Sequence, residues 1–292
     1  MADSLRSIRL PAEFKQSLTM NAARTRVEQT LEDLGLNTVC RSARCPNCNH
    51  CFSEGTATFL ILGPNCTRAC TFCAVSQKRP EAPDPDEPRR VAQAVARLGL
   101  RHAVITSVTR DDLEDGGAGH FVATVQKIRQ LCPGTTVEIL VPDFGGNRQG
   151  WDTVCDLKPE VFNHNIETVA RLYPEVRPGA DYERSLSLLR QAAERGLLVK
   201  SGFMVGLGED RPEVEELLQH LAESGCRLVT VGQYLAPSPA HRRIHRFWSR
   251  REFEELKAYG RDRWGMKVVA GPLVRSSFSA GAVYQSLYRD QI

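Results

Sequence analysis

Seven of the ten cysteines fall between Cys40 and Cys73, in two groups. The second group is Cys66-Thr-Arg-Ala-Cys70-Thr-Phe-Cys73, a CxxxCxxC spacing. Three thiolates so close together bind three irons of a cubane cluster and leave the fourth iron open, whereas a closed electron-transfer cluster has four ligands. An open iron invites a ligand that is not protein. A redox CxxC (Cys70, Cys73) or a zinc knuckle missing its fourth ligand fits the triple spacing less well. The first group is Cys40-Arg-Ser-Ala-Arg-Cys45-Pro-Asn-Cys48-Asn-His-Cys51, which gives CxxxxC then CxxxxxC if Cys48 is skipped. Spacing alone leaves it evenly divided between a second cluster and zinc held by Cys45, Cys48, Cys51 and the nearby His50. Cys132, Cys155 and Cys226 are isolated and read as small buried hydrophobes.

These thiols must be positioned by a folded core, and the composition supplies one. The chain has 292 residues, 41% hydrophobic and 25% charged, ordinary for a globular protein of one or two domains. No stretch reaches the ~18 apolar residues of a membrane helix, and Met1 to Leu10 lacks the apolar core of a secretory signal. A cytoplasmic chain without membrane contact is expected, and in that reducing compartment the thiols are metal ligands and not disulfides. With 38 basic and 35 acidic residues the net charge is +3, which gives no reason to expect nucleic acid.

From Ala57 onward short apolar runs alternate with amphipathic segments in βαβα order. Strands are expected at Ala57 to Leu62, Ala103 to Val108, Val137 to Val141, Val161 to Ile166, Leu198 to Val205 and Leu228 to Gln233. Helical spacing appears at Val91, Ala94, Val95 and Leu98, at Tyr182, Ser185, Leu186 and Leu189, and at Val214, Leu217, Leu218 and Leu221. Gly99, Gly196 and Gly225 stand where a helix would end. The pattern predicts a parallel α/β sheet of about six strands over residues 55–235, open or barrel-like. Residues 1–54 read as an N-terminal extension carrying cysteines, and residues 236–292 as a C-terminal flank. Arg79 to Pro88, with four prolines among acidic residues, reads as an extended loop before a helix starting near Arg89.

Other groupings are weaker. Gly202-Phe-Met-Val-Gly206-Leu-Gly208-Glu209 has the context of a dinucleotide fingerprint, but Arg211 stands where the third glycine is needed. His241 and His245 lack the glutamate of HExxH and read as surface residues. Arg242, Arg243, Arg246, Arg250 and Arg251 form the densest basic stretch, either a solvated face or a dock for an acidic carrier. Asp111, Asp112, Glu114 and Asp115 follow the second strand, at the end where β/α barrels carry active sites, although any one of them also suits a loop cap.

CxxxCxxC resembles the signature of the radical S-adenosylmethionine superfamily, and the chain from about residue 30 to 285 is similar to the lipoyl synthase family. The likeness rests on both cysteine groups and on Gly55-Thr-Ala-Thr-Phe, Val104-Ile-Thr-Ser-Val-Thr-Arg-Asp-Asp-Leu, Asp115-Gly-Gly, Glu138-Ile-Leu-Val-Pro-Asp-Phe, Phe162-Asn-His-Asn, Lys200-Ser-Gly-Phe-Met-Val-Gly-Leu-Gly-Glu and Gly271-Pro-Leu-Val-Arg-Ser-Ser. It implies an open, partial (β/α)6 TIM-like barrel with an N-terminal cluster-binding extension and a C-terminal lid segment. It also implies two [4Fe-4S] clusters, one on Cys66, Cys70 and Cys73, the other an auxiliary cluster on Cys40, Cys45, Cys51 and the catalytic Ser277.

S-adenosylmethionine is the implied cofactor, two per lipoyl group. Phe72, Asn165 and Glu167 are weak candidates to contact it, and Gly206 and Gly208 would let backbone approach its adenosyl part. The implied reaction uses a 5′-deoxyadenosyl radical to insert sulfur, taken from the auxiliary cluster, at carbons 6 and 8 of a protein-bound octanoyl-lysine. Implied partners are octanoylated lipoyl carrier domains or the glycine-cleavage H protein, an electron donor such as ferredoxin or flavodoxin, and an iron–sulfur carrier that renews the cluster. Two departures stand out: Phe278 where the family has tyrosine, and Cys48 as an extra thiol. A radical dehydrogenase or maturase whose auxiliary cluster only carries electrons is the alternative enzyme, and a zinc-bearing binding module is the non-catalytic one.

Overall fold

The structure, a computed structural model, describes residues 20–289, so residues 1–19 of the expected N-terminal extension lie outside it. Helix α1 (Ala22–Asp33) leads into a two-residue strand β1 (Asn37–Thr38) and two short helices, α2 (Val39–Ser42) and α3 (Cys48–Ser53). Asn21 caps α1 by accepting from the Arg24 amide, and Thr38 caps α2 by accepting from the Arg41 amide. Cys40 lies on α2 and Cys48 and Cys51 lie on α3, with Cys45 on the turn between them.

The repeat then runs β2 (Thr58–Ile61), α4 (Glu87–Leu98), β3 (His102–Ser107), α5 (Ala118–Leu131), β4 (Thr136–Leu140), α6 (Arg148–Asp156), β5 (Val161–Asn163), α7 (Tyr173–Val176), α8 (Tyr182–Glu194), β6 (Val199–Val205), α9 (Arg211–Glu223) and β7 (Leu228–Gln233). It continues into the C-terminal flank with α10 (Arg250–Trp264), β8 (Lys267–Gly271) and α11 (Ala280–Arg289). All six expected strands are present, and the helix-spaced apolar residues of α4 and α9 are buried. Ser185, the polar gap in α8, is also buried and shares a hydrogen bond with the Tyr173 hydroxyl at 2.8 Å. Gly99, Gly196 and Gly225 take the left-handed φ that ends a helix. Residues 79–84 carry no regular structure, as the prolines require, and α4 begins at Glu87, two residues early.

The strands form one sheet in the order β1 to β8. Strand β1 pairs antiparallel with β2, and every later pair is parallel. Because β1 and β8 are its two edges, the sheet is an open barrel and not a closed one. Each flank therefore contributes a strand, and the parallel part has seven strands where the periodicity predicts about six. The seventh is announced by the Ser249 and Glu252 capping box of α10 and by the apolar run at Val268.

Seven parallel strands send their following loops to one mouth. Below it the barrel interior is polar: Lys200 of β6 bonds both Glu138 oxygens of β4, at 2.8 and 3.1 Å, with both side chains buried. Burial alone would raise Glu138, and the Lys200 ammonium overrides it, holding the carboxyl below the usual carboxylate range. After β8 the chain turns back into the barrel, and α11 packs Tyr284 against His102 of β3 with ring centroids 5.4 Å apart.

Candidate active site

One cavity of about 330 Å³ occupies the mouth and is lined by thiols of both groups: Cys40, Cys45 and Cys51, and Cys66, Cys70 and Cys73. Ser277, Phe72, Asn165 and Glu167 line the same space. Cys48 does not; its charged neighbours are Arg41, Arg24 and Glu28, toward α1. His50 packs its ring on Phe278 at 5.7 Å. Among the described residues no three His, Cys, Asp or Glu side chains converge on a single-ion site, as zinc on Cys45, Cys48 and Cys51 would require.

The loop carrying Cys66, Cys70 and Cys73 is held from inside. Arg68 donates to both oxygens of Asp111 at 2.9 Å and reaches Asp143 at 2.6 Å. Burial alone would raise Asp143, and the Arg68 guanidinium instead holds it below the usual range. Asp111 thus belongs to this clamp, while Asp112 pairs with Arg110 and Asp115 accepts from the Gly117 and Gly119 amides at the start of α5. The acidic knot is a set of loop ties. Backbone amides of Thr109 and Arg68 donate to Cys66 Sγ at 3.3 and 3.5 Å, the kind of contact that tunes a cluster.

His241 is not the surface residue expected: half-buried, its Nε2 lies 3.2 Å from the Cys73 carbonyl, and the Arg242 amide donates to the Thr71 carbonyl. The C-terminal flank is thereby tied to the cluster loop. Arg242 pairs with Glu175, Arg246 with Glu252 and Arg251 with Glu255, so much of the basic stretch is neutralised within the chain.

Opposite Cys70, Asn165 Nδ2 donates to Glu167 at 3.0 Å, and the buried Arg177 donates to the Asn165 carbonyl at 3.0 Å. Burial raises Glu167 above the usual carboxylate range, against the pull of Arg177. Glu167 has φ +68 and forms an isolated bridge with Phe203, while β5 ends at Asn163 and not at the expected Ile166. Behind it Gly202 is needed for space: a Cβ there would lie 2.5 Å from Thr230 Oγ1 and 2.9 Å from Asn165 Oδ1.

Gly206 and Gly208 are not brought to the cavity. Their amides and that of Leu207 donate to Glu209, which also accepts from Trp248 Nε1 at 2.9 Å. The close approach that demands a glycine at 206 is internal, since a Cβ would lie 2.0 Å from Gln233 Nε2 and 2.7 Å from the Arg246 carbonyl.

The C-terminal arm over residues 272–279 reaches the mouth from the far side. Asn47 Nδ2 donates to the Leu273 carbonyl at 2.6 Å, tying the arm to the first cysteine group. Arg275 is enclosed in the cavity with Cys45 and Glu167 as its charged neighbours. Arg68, Arg177, Glu138, Lys200, Arg275 and Ser276 were not singled out by sequence reasoning as site residues. Five of them lie inside segments that carry the family likeness, and Arg177 lies in none of those segments.

The thiols fit a metal cluster by their donor set. Burial pushes Cys40, Cys51 and Cys73 up to about 12 and also raises Cys45 and Cys70, so metal binding must displace protons to load them. Cys155 and Cys226 are buried as expected; Cys132 is half-buried, and all ten thiols are free.

The profile of the radical SAM superfamily matches residues 60–221. A lipoyl synthase of Nitratidesulfovibrio vulgaris (strain DP4) is 50% identical over 281 residues, covering 96% of this chain and 94% of its own. One from Chlorobium chlorochromatii is 52% identical over 274 residues, covering 93% and 94%. The chain belongs to the lipoyl synthase family. It is therefore a radical SAM enzyme that inserts sulfur, and membership brings a [4Fe-4S] cluster, S-adenosylmethionine and a lipoyl carrier as substrate. The fold is shared more widely. Streptococcus suis SuiB bound to S-adenosylmethionine superposes with TM-score 0.60 at 14% identity, over 77% of this chain and 54% of its own. Methylornithine synthase (PylB) superposes with TM-score 0.53 at 17% identity, over 87% and 82%. No helix among the described residues is long and apolar enough to cross a membrane.

Proposed function

We propose that this cavity is the reaction chamber for sulfur insertion at carbons 6 and 8 of an octanoyl-lysine on a carrier protein. Cys66, Cys70 and Cys73 would hold the cluster that binds S-adenosylmethionine; Cys40, Cys45, Cys51 and Ser277 would hold an auxiliary [4Fe-4S] cluster. When bound, these groups supply a carbon radical strong enough to take hydrogen from unactivated C–H bonds, and the sulfur that replaces it. The observation that carries this reading is that one cavity of about 330 Å³ is lined by both thiol groups and Ser277 while Cys48 lies outside it. A cavity of this size, enclosed on the far side by the arm, keeps water away from reactive species. Phe72 on its wall would shield the cofactor. Asn165 and Glu167 would contact the cofactor, with Arg177 holding Asn165 in place. Gly206 and Gly208 would act only by seating the Glu209 loop.

By function the chain divides into an extension (1–54) with the auxiliary thiols, the radical barrel (55–235) and a flank (236–292) supplying Ser277. The acidic-carrier dock reduces to the exposed Arg243 and Arg250, the basic residues of that stretch with no ion pair among those described. An octanoylated carrier domain or H protein would dock there. A ferredoxin or flavodoxin would supply electrons, and an iron–sulfur carrier would renew the auxiliary cluster. The test is anaerobic reaction of reconstituted protein with an octanoyl-lysine peptide, reductant and S-adenosylmethionine. A product carrying two added sulfurs supports the reading. An octanoyl chain that only loses hydrogen points instead to an auxiliary cluster used for electron transfer. Loaded protein should hold about 8 iron and about 8 sulfide per chain; about 4 of each would remove the auxiliary cluster.

A further inference from the structure

The geometry points to Ser276 as a positioning residue that couples the C-terminal arm to the cofactor side of the cavity, so that seating of the arm and binding of S-adenosylmethionine reinforce each other. The inference rests on the proposed roles of Ser277 and Asn165. Ser276 Oγ donates to Asn165 Oδ1 at 2.9 Å and accepts from Asn163 Nδ2 at 2.8 Å. Its one proton is thus directed at Asn165. The same Asn163 Nδ2 donates to Glu138 Oε1 at 2.8 Å, and Glu138 is clamped by Lys200, so the Asn163 amide is anchored in the rigid barrel floor. On the other side Asn165 Nδ2 donates to Glu167. A continuous chain of hydrogen bonds therefore runs from Lys200 through Glu138, Asn163, Ser276 and Asn165 to Glu167.

Ser276 is the one member that belongs to the arm, 111 residues along the chain from Asn165. It is also the only donor to Asn165 Oδ1 among the bonds recorded for the described residues. A carboxamide has two ends of nearly equal shape and opposite polarity, so its orientation is set by what it bonds. With Ser276 in place Oδ1 faces the arm and Nδ2 holds Glu167; without it only the Glu167 bond holds the amide. The residue beside Ser277 thus adds one bond that both seats the arm and orients the Asn165 amide. By linkage, whatever the seated arm adds to cofactor affinity, bound cofactor must add to arm seating.

Hydrogen exchange over residues 272–279 and the Kd for S-adenosylmethionine test this in protein loaded with its clusters. In the wild type, S-adenosylmethionine should slow exchange of the arm. Ser276→Ala should speed that exchange and weaken S-adenosylmethionine about five- to tenfold, the scale of one buried hydrogen bond, and Ser276→Thr, which keeps the hydroxyl, should restore both. Unchanged arm exchange or an unchanged Kd in Ser276→Ala overturns the coupling. Should that variant fail to fold, wild-type arm exchange indifferent to S-adenosylmethionine overturns it equally. Ser277→Ala separates this from the ligand assignment: full lipoyl formation in that variant refutes the ligand and leaves the coupling to its own readouts.

Discussion

At Gly232, next to last in β7, the arm passes close against the sheet. A Cβ built there would lie 2.0 Å from the Val274 carbonyl oxygen and 3.0 Å from Arg275 Nη1. A carbon–oxygen contact settles at about 3.3 Å, so Gly232→Ala must push the arm backbone outward by about 1.3 Å. The obstacle is main chain, so no side-chain rotation relieves it. Overpacking of this kind costs about 1–3 kcal/mol, a fall of a few degrees in Tm that leaves the barrel folded.

The reaction should suffer far more, because a misplacement of about 1 Å in a reacting group costs about a hundredfold. The variant should therefore form lipoyl product about a hundredfold more slowly in an anaerobic single turnover read by mass spectrometry. Cleavage of S-adenosylmethionine to 5′-deoxyadenosine should fall much less, since the thiols proposed to hold its cluster, Cys66, Cys70 and Cys73, lie on the loop after β2 and not on the arm. Gly134→Ala is the control: a Cβ there meets nothing within 4 Å, and product formation should match the wild type. Wild-type product yield from folded Gly232→Ala would refute the claim that the arm's position governs sulfur insertion.

Cys70→Ala should abolish 5′-deoxyadenosine formation; normal cleavage in that variant would sink the assignment of the open iron to Cys66, Cys70 and Cys73. Cys48→Ala should keep both clusters by iron and sulfide analysis and form lipoyl product normally, because its thiol is outside the cavity, whereas Ser277→Ala should lose most product; the reverse ranking overturns the choice of serine. Stability should depend on His164, whose imidazole is buried and held down to about 4 by burial, with Nδ1 2.8 Å from the Val141 carbonyl. Its folded value lies below the ordinary histidine value of about 6.5, so the unfolded chain binds the extra proton first and stability falls as pH drops from about 6.5 toward about 4. Urea unfolding should show about 2 kcal/mol lost to this group between pH 7.5 and pH 5, and His164→Gln should flatten that slope; an equal slope in both proteins refutes it.

The sequence alone determined whatever depends on neighbours a few residues apart. The CxxxCxxC spacing singles out three candidate ligands because one loop can turn three nearby thiols toward one cluster, and the six strands and buried helix faces follow from hydrophobic period. The reading of β8 and α10 as an undivided flank overlooked a period and a capping box that were present in the residues. What needed the tertiary structure was every relation across the barrel. Asn47 meets Leu273 from 226 positions away, and Ser276 meets Asn163 from 113. Spacing could not choose between Cys48 and Ser277, since the turn of α3 decides that one faces α1 and the arm after β8 carries the other into the cavity. The glycines at 206 and 208 show the same limit. The family resemblance implies backbone laid open to a ligand there, but Glu209 folds back to take those amides, because a buried carboxylate must find donors.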